Sequence, residues 1–128
     1  MRISDLNITD EYDTISKHAT LSEAAKKILA LERGVLVVVD DKLPMGIVTD
    51  SHMLVAMSND LDCRVEKCED HLDSNILSVN YNSTVKEAAL MMNVKKPIAV
   101  TVVDDNLKLV GYFSPNDYRD AIASYQSW

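Results

Sequence analysis

The sequence predicts an α+β fold of two tandem β-α-β-β-α repeats packed as a pseudo-twofold sandwich. Three observations carry this. The chain has 128 residues, enough for one real core and too few for two independent domains. Apolar residues make up 47% of it, which excludes a disordered polypeptide. Finally, it repeats itself: a shift of 64 positions lays Thr20-Leu21-Ser22-Glu23-Ala24-Ala25 on Thr84-Val85-Lys86-Glu87-Ala88-Ala89, and Val38-Val39-Asp40-Asp41 on Val102-Val103-Asp104-Asp105. Leu43 falls on Leu107, and after one inserted residue Gly46 falls on Gly111 and Thr49 on Ser114. The repeats are read as 1–62 and 63–128, with a looser match of Arg2-Ile3-Ser4-Asp5-Leu6 to Arg64-Val65-Glu66-Lys67-Cys68.

Each repeat opens with a short extended piece, near Thr14-Ile15 and Ser78-Val79. A helix follows, announced by Thr20 with Glu23 and by Thr84 with Glu87. These are capping boxes, in which the hydroxyl accepts an early helical N–H and the carboxylate reaches back to the cap. Leu21, Ala24, Ala25, Ile28 and Leu29 form one apolar face at helical spacing, as do Val85, Ala88, Ala89 and Met92. Gly34 is read as the stop of the first helix. Val35 to Val39 is a mostly β-branched run, expected as a strand covered on both faces. Asp40-Asp41 make the turn, Met45 to Thr49 the returning strand, and Asp50 to Met57 the closing helix. The second repeat follows with Ile98 to Val103, a turn at Asp104-Asp105-Asn106, Leu109 to Ser114, and a helix from Pro115 to about Tyr125.

Thirteen basic against twenty acidic residues give a net charge of −7, which disfavours nucleic acid and anionic membrane surfaces as partners. The start Met1-Arg2-Ile3-Ser4-Asp5 lacks a signal-peptide run, and no segment approaches the roughly 20 apolar residues of a membrane span. A cytoplasmic protein with free thiols at Cys63 and Cys68 is expected. Cys63, Cys68 and His71 offer three soft or borderline ligands where structural zinc takes four, so no metal is assigned. A buried thiol, aligned with apolar Leu6, is the reading of Cys68. There is no nucleophile elbow, Gly-rich phosphate loop or His-x-x-x-His pair, and the protein is read as no enzyme.

The most informative stretch is Gly111-Tyr112-Phe113-Ser114-Pro115-Asn116-Asp117 with its counterpart Gly46-Ile47-Val48-Thr49-Asp50-Ser51-His52. A glycine opens an apolar run, a hydroxyl ends it, and three positions on the copies differ, Asp117 against His52. Ser114 as N-cap, Pro115 at the first helical position and an acid at the third also make an ordinary helix start.

With these elements in this order, the chain resembles a CBS-domain pair, or Bateman module, from about Arg2 to Tyr125. The doubled Thr-[Leu/Val]-x-Glu-Ala-Ala start, the Val-Val-Asp-Asp turn and the glycine-led run into Ser or Thr carry the resemblance. It implies a ligand, AMP, ADP, ATP or S-adenosylmethionine, held in clefts between the repeats, and no catalytic cofactor. It also implies that Ser114 contacts phosphate or ribose and that Asp117 holds the ribose hydroxyls. Thr49 matches the hydroxyl, whereas His52 replaces the acid, so one competent and one degenerate site are expected.

The chemistry agrees, since an ionised carboxylate accepts both hydroxyls of a vicinal diol and free N–H groups at a helix start suit phosphate. Asn116 stands between the two named residues. By position, Ile15, Ala19, Val79, Ile98, Ala99, Ile47 and Tyr112 are candidates to line the base, although most suit a core equally well. Arg33 and Lys96 are the candidate cations, while Lys95 reads better as a solvated helix end. The expected function is a stand-alone regulatory module that signals by a conformational or oligomeric change through a homodimer or another protein. Tyr118, Tyr125 and Trp128 would form part of the surface. The alternative is a ligand-free structural or dimerisation module that docks a partner.

Overall fold

The structure is a computed structural model that describes residues 1–6, 11–32 and 34–114. It divides into two compact units, Glu11–Ser74 and Met1–Asp10 joined to Asn75–Trp128. The helix expected from Pro115 onward lies outside the described residues.

In the unit Glu11–Ser74 the order is β1 (Tyr12–Ser16), α1 (Leu21–Ala30), β2 (Val35–Asp40), β3 (Leu43–Val48) and α2 (Asp50–Ser58). β1 and β2 are parallel, joined by the α1 crossover, and β2 and β3 form an antiparallel hairpin. The hairpin turns at Asp41 and Lys42, both at positive φ (50° and 69°), as two-residue hairpins of the I′ kind require. Asp40 is the last residue of β2, so the turn lies one position later than expected.

Thr20 caps α1 by accepting the Glu23 N–H at 3.2 Å. Leu21 and Ala24 point into the core, with Ala25 and Ile28 packed on its edge. Leu29, read as part of that face, is 85% exposed instead. The face is narrower than its composition suggests, and Leu31 packs on the core in place of Leu29. Val37 and Ile47 are buried too, although the core cluster takes the alternate residues Leu36, Val38 and Val48. β2 is thus covered on both faces, as its β-branched run predicts.

The other unit repeats the plan with β4 (Ile76–Asn80), α3 (Val85–Lys95), β5 (Ala99–Val103) and β6 (Leu109–Phe113), in sheet order β4-β5-β6. Even the irregularity is copied: the hairpin register slips between Val38 and Val39 and again between Val102 and Val103. Here the reciprocal box closes in both directions, Glu87 N–H to Thr84 Oγ1 at 3.1 Å and Thr84 N–H to Glu87 Oε2 at 3.4 Å. The inserted residue lengthens the turn. Asp104 Oδ1 accepts the N–H groups of Asn106 and Lys108 at 2.8 and 3.0 Å, and Leu107 takes φ 64°. Thr101 is fully buried in β5, and its hydroxyl lies 2.8 Å from Ser78 Oγ.

Each core is completed by a residue from outside its β-α-β-β-α run. Ile3, fully buried, joins Leu77, Val79, Val85, Ala88, Val100, Val102 and Phe113. Cys68, equally buried, joins Ile15, Leu21, Ala24, Leu36, Val38, Val48, Met53 and Ala56. Both sit in a short 3-10 turn, Ile3–Asp5 and Cys68–Asp70, held by the same bonds. Ile3 N–H donates to Ser83 O and Ser4 N–H to Tyr81 O, while Cys68 N–H donates to Ala19 O and Glu69 N–H to Lys17 O. The true counterpart of Cys68 is therefore Ile3, not Leu6. Matching the arginines of the two openings set the register wrongly, because burial and backbone pairing fix it and Arg64 is an exposed residue.

Gly34 also differs from expectation. α1 already ends at Ala30 with Leu31 as its cap, and Gly34 serves a close approach: an added Cβ would lie 2.6 Å from Glu11 O. Gly46 has a similar role, since its Cβ would meet Asp73 O and Leu72 Cδ1. There the chain after the connector pairs with β3, Ile47 N–H to Asp73 O at 3.0 Å and Asp73 N–H to Ile47 O at 2.9 Å. No helix among the described residues is long and apolar enough to cross a membrane.

Two outcomes follow for stability. Ile3→Ala removes a fully buried side chain and should cost about 2–5 kcal/mol. Gly46→Ala forces backbone and Leu72 apart and should cost about 1–3 kcal/mol. Urea unfolding reads both as a lowered midpoint, and an unchanged midpoint for either variant contradicts the role given to that residue.

Candidate functional site

Both hydroxyls of the duplicated motif stand where a last strand hands over to a helix or to the chain that follows. Thr49 is the N-cap of α2. Its N–H donates to His52 Nδ1 at 2.9 Å, and its Oγ1 lies 3.0 Å from the same nitrogen. A backbone N–H can only donate, so Nδ1 presents its lone pair and the ring carries its proton on Nε2. His52 thus does what Glu87 does for Thr84: it reaches back one turn and satisfies the cap. The equivalent Ser114 follows Phe113 at the end of β6 and is only 6% exposed. Asn116, Asp117 and Arg33 lie outside the described residues.

A cavity opens at the same place in each unit, between the end of the first helix, the start of the central strand and the end of the last one. Beside Thr49 it measures about 240 Å³ and is lined by Ile28, Leu31, Glu32, Gly34, Val35, Leu36, Val48, Thr49 and Asp50. Beside Tyr112 it measures about 130 Å³ and is lined by Met92, Pro97, Ile98, Ala99, Val100, Tyr112 and Phe113. Ile28 corresponds to Met92, Gly34 to Ile98, Val35 to Ala99, Leu36 to Val100 and Val48 to Phe113. The second cavity is the smaller of the two, and Phe113 there is bulkier than Val48.

Of the candidate base-lining residues, Tyr112, Ile98 and Ala99 reach the second cavity, and Ile98 is 47% exposed there. Ile15 and Val79 belong to the two cores, and Ala19 packs against the first. Ile47 is buried and pairs with Asp73, outside the residues lining the first cavity. Lys96 is the left-handed C-cap of α3, with its carbonyl accepting Asn75 Nδ2 at 3.3 Å. Lys95 Nζ donates to Ile76 O, so it ties α3 to β4 and is not a purely solvated end. The reading from sequence did not single out Glu32, and it took Asp50 only as the start of the closing helix. Only the matching of repeats, which sets Glu32 against Lys96 and Asp50 against Pro115, could have marked them.

The connector behind the first unit carries the remaining chemistry-bearing residues. Burial pushes the Cys68 thiol up to about 11, aided by the negative charge of Glu23. His71 Nε2 lies 3.7 Å from Glu66 Oε1. Among the described residues no group of three or more His, Cys, Asp or Glu is placed to hold a metal ion.

Comparison with known proteins matches this chain to a family model described as CBS domain, twice, over residues 3–59 and 68–124. An uncharacterized 17.7 kDa protein of Acidianus ambivalens is 28% identical over 123 residues, covering 94% of this chain and 73% of that protein. Among solved structures, a CBS domain pair/ACT domain protein from Thermotoga maritima superposes with a TM-score of 0.74 at 18% identity, covering 98% of both chains. CBSX2 in complex with AMP gives 0.72 at 17% identity. The CBS domain pair of protein MJ0100 in complex with 5′-methylthioadenosine and S-adenosyl-L-methionine gives 0.72 at 21%. Each of these two also covers 98% of both chains. At these identities the superpositions show the fold.

The thiols provide a check on this local environment. A thiol at about 11 is thiolate to roughly one part in a thousand at pH 8, and Cys68 is in addition fully buried. Iodoacetamide at pH 8 should therefore modify Cys63 in the native protein and spare Cys68, with both modified after denaturation. Peptide mass analysis reads the result, and labelling of native Cys68 at the rate of Cys63 contradicts it.

Proposed function

Because the chain belongs to the CBS domain family through both of its repeats, we propose that it is a regulatory module that binds an adenosine derivative, AMP, ADP, ATP or S-adenosylmethionine. The observation that carries the proposal is the duplicated cavity at the end of each last strand, lined by Thr49 in one repeat and by Tyr112 and Phe113 in the other. Support also comes from the ligands of two proteins of the same fold, AMP in one and 5′-methylthioadenosine with S-adenosylmethionine in the other.

The nucleotide site is the one organised by Ser114 and Asp117. Ser114 contacts ribose or phosphate, the Asp117 carboxylate accepts both ribose hydroxyls, and Tyr112, Ile98 and Ala99 supply an apolar wall for the base. Asn116 stands between Ser114 and Asp117 in sequence, and Lys96 and Arg33 are the candidate cations. Beside Thr49 the corresponding acid is missing, and His52 is engaged with the cap. Binding acts by population shift: the ligand favours the arrangement it fits best, and a homodimer or a separate protein partner reads the change. The protein performs no catalysis.

A ligand-free docking module is the second reading, favoured by the His52 cap. Thermal unfolding with AMP, ATP and S-adenosylmethionine separates the two. A ligand at one hundred times its dissociation constant adds about 2.7 kcal/mol of stability. The shift with AMP should vanish in Asp117→Ala and persist in His52→Ala. No shift with any adenosine compound overturns the sensor reading.

A further inference from the structure

The two equivalent cavities differ in charge as well as in size. Beside Thr49 the lining residues include two acids, Glu32 and Asp50, both solvent-exposed, among the apolar Ile28, Leu31, Val35 and Val48. A third acid stands close by, since Glu11 Oε1 accepts the Glu32 N–H at 2.7 Å. The second repeat carries Lys96 where Glu32 stands and Pro115 where Asp50 stands, and no acid lines its cavity among the described residues. Duplication has thus left one backbone frame with opposite charge at the end of the first helix.

We infer that the cavity beside Thr49 selects adenosine derivatives that lack a phosphate, and that Glu32 and Asp50 enforce this by excluding the phosphate's negative charge. The inference rests on the adenosine reading above and divides the ligands between the two repeats. An AMP phosphate held a few ångströms from two carboxylates is repelled strongly enough to cost roughly tenfold or more in affinity. A neutral nucleoside escapes that repulsion, and a sulfonium nucleoside is attracted. The same carboxylates accept hydrogen bonds from ribose hydroxyls or an amine. Asp50 thereby supplies, two positions earlier, the acceptor that His52 does not. Asp50 Oδ1 already takes the Ser51 N–H at 2.9 Å, which fixes the carboxylate at the head of α2.

The probes are 5′-methylthioadenosine and AMP, which share adenosine and differ in the 5′ group. Amide NMR titration of the whole chain follows Gly34 and Thr49 for the first cavity and Ile98 and Tyr112 for the second. The expected result is that 5′-methylthioadenosine moves the Gly34 and Thr49 signals at least about tenfold more tightly than AMP. The gap should narrow at high salt and collapse in a Glu32→Gln, Asp50→Asn double variant. The inference is overturned if AMP is equally tight there, or if the gap survives neutralisation. It is also overturned if Arg33→Ala removes an AMP response at Gly34 and Thr49, because the guanidinium would then be admitting the phosphate. Movement of Ile98 and Tyr112 alone overturns this inference and leaves the adenosine reading standing. No movement with either compound overturns this inference, and the adenosine reading falls with it only if ATP and S-adenosylmethionine also leave the unfolding temperature unchanged.

Discussion

The structure depends on how two small sheets close their apolar faces. A three-stranded sheet with a crossover helix leaves a gap at the head of the helix, and units of this size bury too little surface to tolerate it. Ile3 fills that gap in one unit and Cys68 in the other, each fully buried and each held by backbone bonds to the turn ahead of the helix. Those bonds position Thr20 and Thr84 as caps, the caps start α1 and α3, and the ends of these helices form one wall of each cavity. Cavity geometry is thus set some distance away, by a residue that never touches it.

Local features were legible in the sequence because their causes are local. Capping residues, a β-branched run and a 64-residue echo announced helices, strands and order within a few positions. Tertiary causes were less visible. Gly34 looked like a helix stop because glycine often is one, yet its reason is the Glu11 backbone passing at van der Waals range. The openings were aligned on arginine identity, while the constraint is a buried position that isoleucine and cysteine fill alike. Thr49, Tyr112, Ile98 and Ala99 line the cavities. Ile15 and Val79 do not, because an apolar residue in a strand gives no sign of which face it serves.

The repeats also show how a duplicated site diverges without a change in fold. The hairpin slip, the parallel pairing and the 3-10 turns are held in common, being conditions for closing the core. Substitutions accumulate around the cavities: Val35 against Ala99 and Val48 against Phe113 alter volume, and Glu32 against Lys96 alters charge. His52 fits the same pattern. It keeps the cap while dropping the acid, so the helix start is preserved as the recognition chemistry changes.

The exchange of core residues has a consequence for how the chain may be divided. The family matches begin at residues 3 and 68, the two residues that complete the cores. Ile3 nevertheless lies in a unit whose remainder starts at Asn75, and Cys68 in the unit Glu11–Ser74. Cutting the chain once, at any peptide bond, cannot yield two pieces that both hold a complete core. The repeat is a unit of inheritance and not a unit of folding. Any exchange of halves between relatives must carry the first few residues of one half along with the body of the other.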